Sequence, residues 1–260
     1  MVYLILINDF RDKKGWLEWS LIVGTTLGAI WGIVFWKLFW HKSRFEIISL
    51  GAPNRTATFL SIVFLFVIAK IIWDERISPW SRKFLFFSAL ILGISLILGA
   101  SRGAFVGLGA SFLVLSFLKP DKKMVAVFLL LIGSIGIGAF FYKDLGQKFL
   151  NPQNLYSRFQ DWQEAFQAFK TSPIIGGAAR ICYADPDNLY ISILAKMGLL
   201  GFIGLVMVII GCIQILLKSE RSYYKYAGIA ILTSILTNGI FETTFTHESA
   251  LAFIIISALM

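Results

Sequence analysis

"LILGASRGAFVGLG", residues 96–109, carries one full positive charge inside an apolar run. Of the 35 residues between Lys83 and Lys119, only Arg102 is charged. An arginine at the centre of a lipid-facing helix costs about 2.5 kcal/mol or more. A 35-residue run is long for a single span of about 20 residues, but it divides into two of about 17 that meet at Arg102. "GASRGA" then reads as a tight helix–helix turn at one membrane surface. That reading turns a misplaced charge into a boundary, and it sets the fold.

The rest of the chain agrees. It is 57% hydrophobic and 15% aromatic over 260 residues, which excludes an ordinary soluble domain. Eight apolar runs are candidate spans: 17–36, 55–73, 84–100, 103–118, 124–141, 188–217, 224–240 and 247–260. Only helices and closed barrels satisfy their backbone in lipid. These runs do not alternate as barrel strands do. The expected fold is all-α, a polytopic transmembrane bundle of about eight spans forming one membrane domain over 1–260.

Charge then sets the orientation. The segments 8–16, 74–83, 119–123 and 218–225 each hold three Lys or Arg, and they fall on one side of the alternating spans. The positive-inside rule makes that side cytoplasmic. Arg102, the segment 142–187 and the acidic turn "FETTFTHE" (241–248) face outward. The net charge of +9 is thereby explained by topology, and no nucleic-acid partner is expected. Cys212 lies inside a span, so a disulfide with Cys182 is not expected. "MVYLILI" is followed by charges and does not read as a cleavable signal. It reads as the tail of an upstream helix, and the last apolar run stops after about 14 residues, short of a full span. A fragment or shortened relative of a larger protein is expected.

Glycines suggest close helix packing. Gly24, Gly28 and Gly32 form one stripe, and Gly99, Gly103 and Gly107 form another around Arg102. In the long outer segment, "YSRFQDWQEAFQAFK" (156–170) spaces Phe159, Trp162, Phe166 and Phe169 on one helical face. Such an amphipathic helix lies in the membrane interface or caps a cavity. "IIGG" (174–177) follows as a turn, and "YADPDNLY" (183–190) leads into an apolar run of about 30 residues, roughly 45 Å as helix. Gly198, Gly201 and Gly204 mark the expected kink in that run.

Three features share the outer side: Arg102 at its turn, Arg158 on the amphipathic helix, and "DPDN" (185–188) at the mouth of the long helix. Arginine binds phosphate through two parallel hydrogen bonds and stays charged. A diphosphate leaving group needs such charge as its bond to sugar breaks. An acceptor hydroxyl needs a base, and a carboxylate can serve. Plainer readings stand beside these. Arg102 can anchor a turn by snorkelling. Arg158 can pair with Asp161 at i,i+3. Asp185 can cap a helix beginning at Pro186, with Asp187 near the positive dipole end. The Asp-x-Asp pattern has no second carboxylate cluster, so no metal or other cofactor is expected. His247 and Glu248 are further outward polar residues, His41 has no partner visible in sequence, and Lys196 stands alone in the long run.

These segments, in this order, resemble the O-antigen ligase and polymerase family of bacterial envelopes. "SRGAF" (101–105) is similar to its Ser-Arg-Gly segment between two membrane helices. "SRFQDWQEAFQAFKTSPIIGG" (157–177) is similar to its outer-loop pattern of Arg, Trp, Pro and a glycine pair. "DNLYISILAKMGLLG" (187–201) resembles its His-Asn-x-Tyr segment and Gly-x-x-Gly helix, and "APNRTATF" (52–59) loosely matches an earlier helix start. The resemblance covers roughly residues 50–215. It implies a metal-independent glycosyltransferase of the bacterial cytoplasmic membrane, with its active site facing outward. The implied donor is an undecaprenyl-diphosphate-linked glycan, and the implied acceptor is lipid A core or another glycan. The implied catalytic residues are Arg102 and Arg158 on the diphosphate, with Asp187 standing where the family has histidine. Asn188, Arg55 and Arg180 are the implied substrate-binding residues. Some relatives have been assigned to bicarbonate uptake, so a transporter is the alternative, followed by an inactive fragment. A transporter calls for charges or broken helices near the midplane. Here the polar residues gather at the outer surface.

Overall fold

The computed structural model describes residues 14–40, 45–47, 52–141, 153–177, 186–219 and 223–242. Among them every regular element is a helix. α1 is Lys14–Phe35, continued by a π-helical turn over Trp36–Trp40. α2 is Pro53–Trp73, α3 Pro79–Gly99, α4 Arg102–Leu118 and α5 Lys122–Phe141. α6 is Gln153–Thr171, α7 Leu189–Lys218 and α8 Tyr223–Asn238. Among the described residues, four stretches are long and apolar enough to cross a membrane: Gly15–Phe39, Pro53–Trp73, Pro79–Gly99 and Leu189–Lys218. The expected spans 103–118, 124–141 and 224–240 are helices as well, α4, α5 and α8, while 247–260 lies outside the described residues.

Local sequence fixes the helix ends. Pro79 opens α3 behind Ser78, whose hydroxyl accepts a hydrogen bond from the Ser81 amide at 3.2 Å. Asp121 does the same for α5, accepting from the Lys123 amide at 2.8 Å. The expected turn at Arg102 is tighter than a loop. Ala100 adopts the left-handed conformation (φ 49°, ψ 42°), and Ser101 caps α4 through the Ala104 amide. Left-handed backbone at a non-glycine residue costs roughly 1–2 kcal/mol. The Ala100 amide recovers part of that by donating to Leu96 and Ile97 carbonyls.

α2 is the centre of the bundle. It packs against α3 and α8, and α8 packs in turn against α4. Leu60, Ile62, Val63, Leu65, Phe66 and Val67 are all buried on it. α8 meets α4 closely because α4 presents glycines. A Cβ on Gly103 would stand 2.1 Å from Asn238 Oδ1, and one on Gly107 2.7 Å from the Ser234 carbonyl. Ser111 adds a hydrogen bond across the same seam, donating to the Ala230 carbonyl at 2.7 Å.

The structure corrects two glycine readings. Gly99 ends α3 while Gly103 and Gly107 belong to α4, so the turn splits that stripe between two helices. In α1, a Cβ on Gly24 or Gly28 would meet nothing within 4 Å, and only Gly32 serves a close contact, against Phe45.

At the far end of α2 lies a second polar cluster. Lys70 pairs with Glu18 of α1 and, at 3.1 Å, with Asp74. It also donates to the Tyr223 hydroxyl at 3.2 Å. Tyr223 and Tyr224 of α8 donate to the two Glu18 oxygens at 3.0 and 3.2 Å. Lys70 and Glu18 are both buried, so this network ties α1, α2 and α8 together at one end.

Candidate functional site

The opposite end of α2 carries the predicted site. Asn54 and Lys70 are 16 residues apart, or about 24 Å along the helix axis. Here the turn that follows α8, Gly239–Glu242, is the meeting point. Its backbone is wound tightly, the Phe241 and Glu242 amides both donating to the Asn238 carbonyl, at 2.8 and 3.0 Å. Asn238 also donates its side-chain amide to the Thr58 hydroxyl at 2.8 Å, and Thr58 donates to the Asn54 carbonyl at 3.0 Å. One buried asparagine thus fixes the start of α2, the start of α4 through Gly103, and the turn itself.

Arg158 reaches this turn from α6. Its Nη1 donates to the Phe241 carbonyl at 2.8 Å. Its Nη2 lies 3.3 Å from Glu242 Oε1 and 3.3 Å from Asp187 Oδ2. The same Glu242 oxygen accepts from the Asn54 side-chain amide. Glu242 is therefore gripped from two sides and largely buried, whereas half of the Asp187 side chain is exposed (51%).

Asn188 is buried and caps α7. Its Oδ1 accepts from the Tyr190 and Ile191 amides, both at 3.0 Å, and its Nδ2 donates to the Ile240 carbonyl at 2.9 Å. The Leu189 amide donates to the Gly239 carbonyl at 2.8 Å, and the Tyr190 hydroxyl to the Leu236 carbonyl at 2.7 Å. The mouth of α7 is thereby fastened to the end of α8. This corrects the expected helix start. The cap is Asn188 rather than Asp185, and the helix begins at Leu189 rather than Pro186. Asp187 stands just before the cap, where it is available to Arg158.

α7 breaks where its glycines suggested. Gly198 has φ 65° and ψ −161°, outside helical space. The turn 173–177 fills the break with backbone. The Leu199 amide donates to the Pro173 carbonyl at 2.8 Å and the Leu200 amide to the Ile174 carbonyl at 3.1 Å. The Gly177 amide donates to the Ala195 carbonyl at 2.9 Å. No side chain fits there: a Cβ on Gly176 would lie 2.3 Å from the Lys196 carbonyl oxygen. α6 is consequently held at both ends, by Arg158 and by this backbone insertion.

The packing face of α6 is distinct from its aromatic face. Ala165 and Ala168 are its buried residues, set against Ala195 and Ile191 of α7, while Phe159 and Phe166 are exposed. Small residues let the two helix backbones approach, and aromatics do not.

The predicted residues are thus placed as follows. Arg158, Asp187 and Asn188 come together at the mouth of α7. Arg102 is the half-buried first residue of α4, next to Gly103, which lies against Asn238 and Phe241 of the same turn. Arg55 is exposed and follows Asn54 on α2. Arg180, Asp185, His41, His247, Glu248 and Cys182 lie outside the described residues. Lys196 is exposed on α7. Among the described residues, no group of three or more His, Cys, Asp or Glu is placed to hold a metal ion. Sequence reading missed Glu242, Asn54 and Asn238. Glu242 lay within the acidic turn and Asn54 within "APNRTATF", but nothing local tied either to Arg158.

Comparison with known proteins adds a family match. Residues 87–206 match the family model described as O-antigen ligase. The chain as a whole matches no curated protein. The matched segment runs from within α3 to within α7, and it contains Arg102, Arg158, Asp187 and Asn188. Asn54 and Glu242 come to the site from outside it. With helices able to cross a membrane and this segment carrying the arginine-centred site, the chain is similar over residues 87–206 to the O-antigen ligase family.

Proposed function

We propose that the chain transfers or polymerises an undecaprenyl-diphosphate-linked glycan onto a hydroxyl of lipid A core or of another glycan. In this reading the bundle has about eight spans in the cytoplasmic membrane. The Arg158 end faces outward, since Lys and Arg concentrate in the segments of the opposite side. The observation that carries the reading is Arg158 itself, held at the mouth of α7 within a family segment whose model describes glycan ligation.

The chemistry is a displacement at the anomeric carbon. The acceptor oxygen bonds to that carbon as the carbon–oxygen bond to the diphosphate breaks. The bond's electron pair leaves with the diphosphate, and the acceptor proton passes to a carboxylate. Arg102 and Arg158 neutralise the leaving charge, a fixed positive field being most effective in a shielded site. Asp187 takes the proton, because it is the more exposed carboxylate and so open to an acceptor. Glu242 orients Arg158, assisted by Asn54. Asn188, Arg55 and Arg180 bind the sugar or the phosphate.

The alternative is a transporter, which the break at Gly198 favours, since broken helices expose backbone groups to ions. Here, however, amides of that break are occupied by the turn 173–177. Glycan profiling of a deletion strain separates the readings. Under the transferase reading the strain loses ligated or long-chain surface glycan. Wild-type complementation restores it, and neither Arg102→Ala nor Arg158→Ala does. An unchanged glycan profile in the deletion strain defeats the transferase reading.

A further inference from the structure

α6 and the turn 173–177 belong to the segment that the sequence places outside the membrane. Their exposed surface does not suit water. Phe159 and Phe166 stand one above the other on α6, seven residues apart, and both are exposed. The stripe continues into Ile174 and Ile175, 64% and 67% exposed at the tip of the turn. Contiguous exposed apolar surface marks a contact with a partner or a membrane.

The depth of the turn identifies the partner. Its carbonyls bond to the amides of Leu199 and Leu200, well inside α7 rather than at its mouth. α7 has 30 residues and ends at Lys218. A hydrocarbon core of roughly 30 Å takes about 20 helical residues. Counted back from Lys218, those residues reach Leu199. Leu199 and Leu200 are themselves exposed apolar residues on a helix able to cross a membrane, so Ile174 and Ile175 continue a lipid-facing surface.

The backbone of the turn supports this depth. Irregular backbone survives at the edge of the hydrocarbon only where protein satisfies it. Pro173 has no N–H to satisfy. Gly176 donates to the Ser172 carbonyl and Gly177 to the Ala195 carbonyl, and the Pro173 and Ile174 carbonyls accept from α7. Phe166, the nearer of the two aromatics to the turn, then falls closest to headgroup level, where aromatic rings are favoured.

We propose that the turn 173–177 dips into the bilayer edge, with Ile174 and Ile175 among the acyl chains and Phe166 nearest the headgroups. The segment is then a membrane-seated element, not an aqueous loop. The proposal needs α7 to cross the membrane and does not depend on glycan transfer.

Spin-label accessibility tests it. The protein, with Cys182→Ser and Cys212→Ala, is placed in phosphatidylethanolamine–phosphatidylglycerol vesicles and labelled at Ile175→Cys. Ile203→Cys on α7 serves as the lipid-facing reference and Glu164→Cys on α6 as the aqueous one. The expected result is oxygen collision at 175 matching 203, with water-soluble nickel collision severalfold below that at 164. Nickel access at 175 equal to that at 164 overturns the proposal. So does exclusion of both reagents at 175, which would mean that protein covers the tip. Ile174→Cys repeats the measurement at the neighbouring exposed position, so that one disturbed label does not decide it.

Discussion

Two sites at opposite ends of α2 are built from the same parts: one cation between two carboxylates. At one end Lys70 sits between Glu18 and Asp74, and two tyrosine hydroxyls complete the Glu18 oxygens. At the other, Arg158 sits between Asp187 and Glu242. Burial separates them. The Lys70 and Glu18 side chains are 6% and 4% exposed, so the pair is shut off from solvent. Arg158 is 24% exposed and Asp187 about half. A charge network that is closed on all sides holds helices together. One with an open side can exchange a carboxylate for a phosphate. The same ionic composition therefore suits structure at one end and, under the proposed function, chemistry at the other.

The largest expected effect comes from breaking the closed network. Lys70→Met leaves Glu18 buried without its cation, and breaking a buried pair from one side costs about 3–5 kcal/mol. A steep fall in thermal stability of the detergent-solubilised protein is the expected outcome. Arg158→Met, by contrast, is expected to cost less than Lys70→Met, because Arg158 and Asp187 are partly solvated even though Glu242 is largely buried, yet to abolish glycan transfer. If Arg158→Met unfolds the protein while Lys70→Met does not, the division of roles is reversed.

Next in size is the α4–α8 seam at the Arg158 end. Gly103→Ala drives a methyl group into Asn238, and overpacking costs typically about 1–3 kcal/mol. Asn238 positions the Arg158 end only, so transfer should fall further than the melting shift accounts for. Asn188→Ala, which removes the α7 cap, should cost about 1 kcal/mol. Thermal melts read alongside surface-glycan profiles check both.

Much of this architecture is written locally, and what is not written locally was not read. Apolar run lengths mark the helices, "GAS" marks the turn before Arg102, and the glycines after Lys196 mark the break in α7. Those features depend on neighbours in sequence. The Lys70 network does not, because Glu18 and Tyr223 are 205 residues apart. Glu242 lies 84 residues from Arg158 and shows no sign of that pairing in its own segment. On α6 the spacing marks the aromatic face but not the packing face: the helix packs through Ala165 and Ala168 and leaves Phe159 and Phe166 exposed. The start of α7 lies at Asn188 rather than at the Asp185 cap that sequence offered, and the Asn188 side-chain amide also reaches the Ile240 carbonyl.

The smallest expected change in stability is the most informative about chemistry. Asp187 is half exposed, pairs with Arg158 at 3.3 Å, and stands outside the α7 cap. A pair so solvated contributes a few tenths of a kcal/mol, so Asp187→Asn should leave the melting temperature almost unmoved. Asparagine keeps the shape but takes up no proton at neutral pH. If Asp187 is the base, transfer collapses in a protein as stable as the wild type. If transfer persists, the proton goes to Glu242, the other carboxylate on Arg158, and Glu242→Gln should then be the silencing change. Glu242 is gripped by both Asn54 and Arg158, so its loss should also lower stability, and Asp187→Asn is therefore the cleaner of the two experiments.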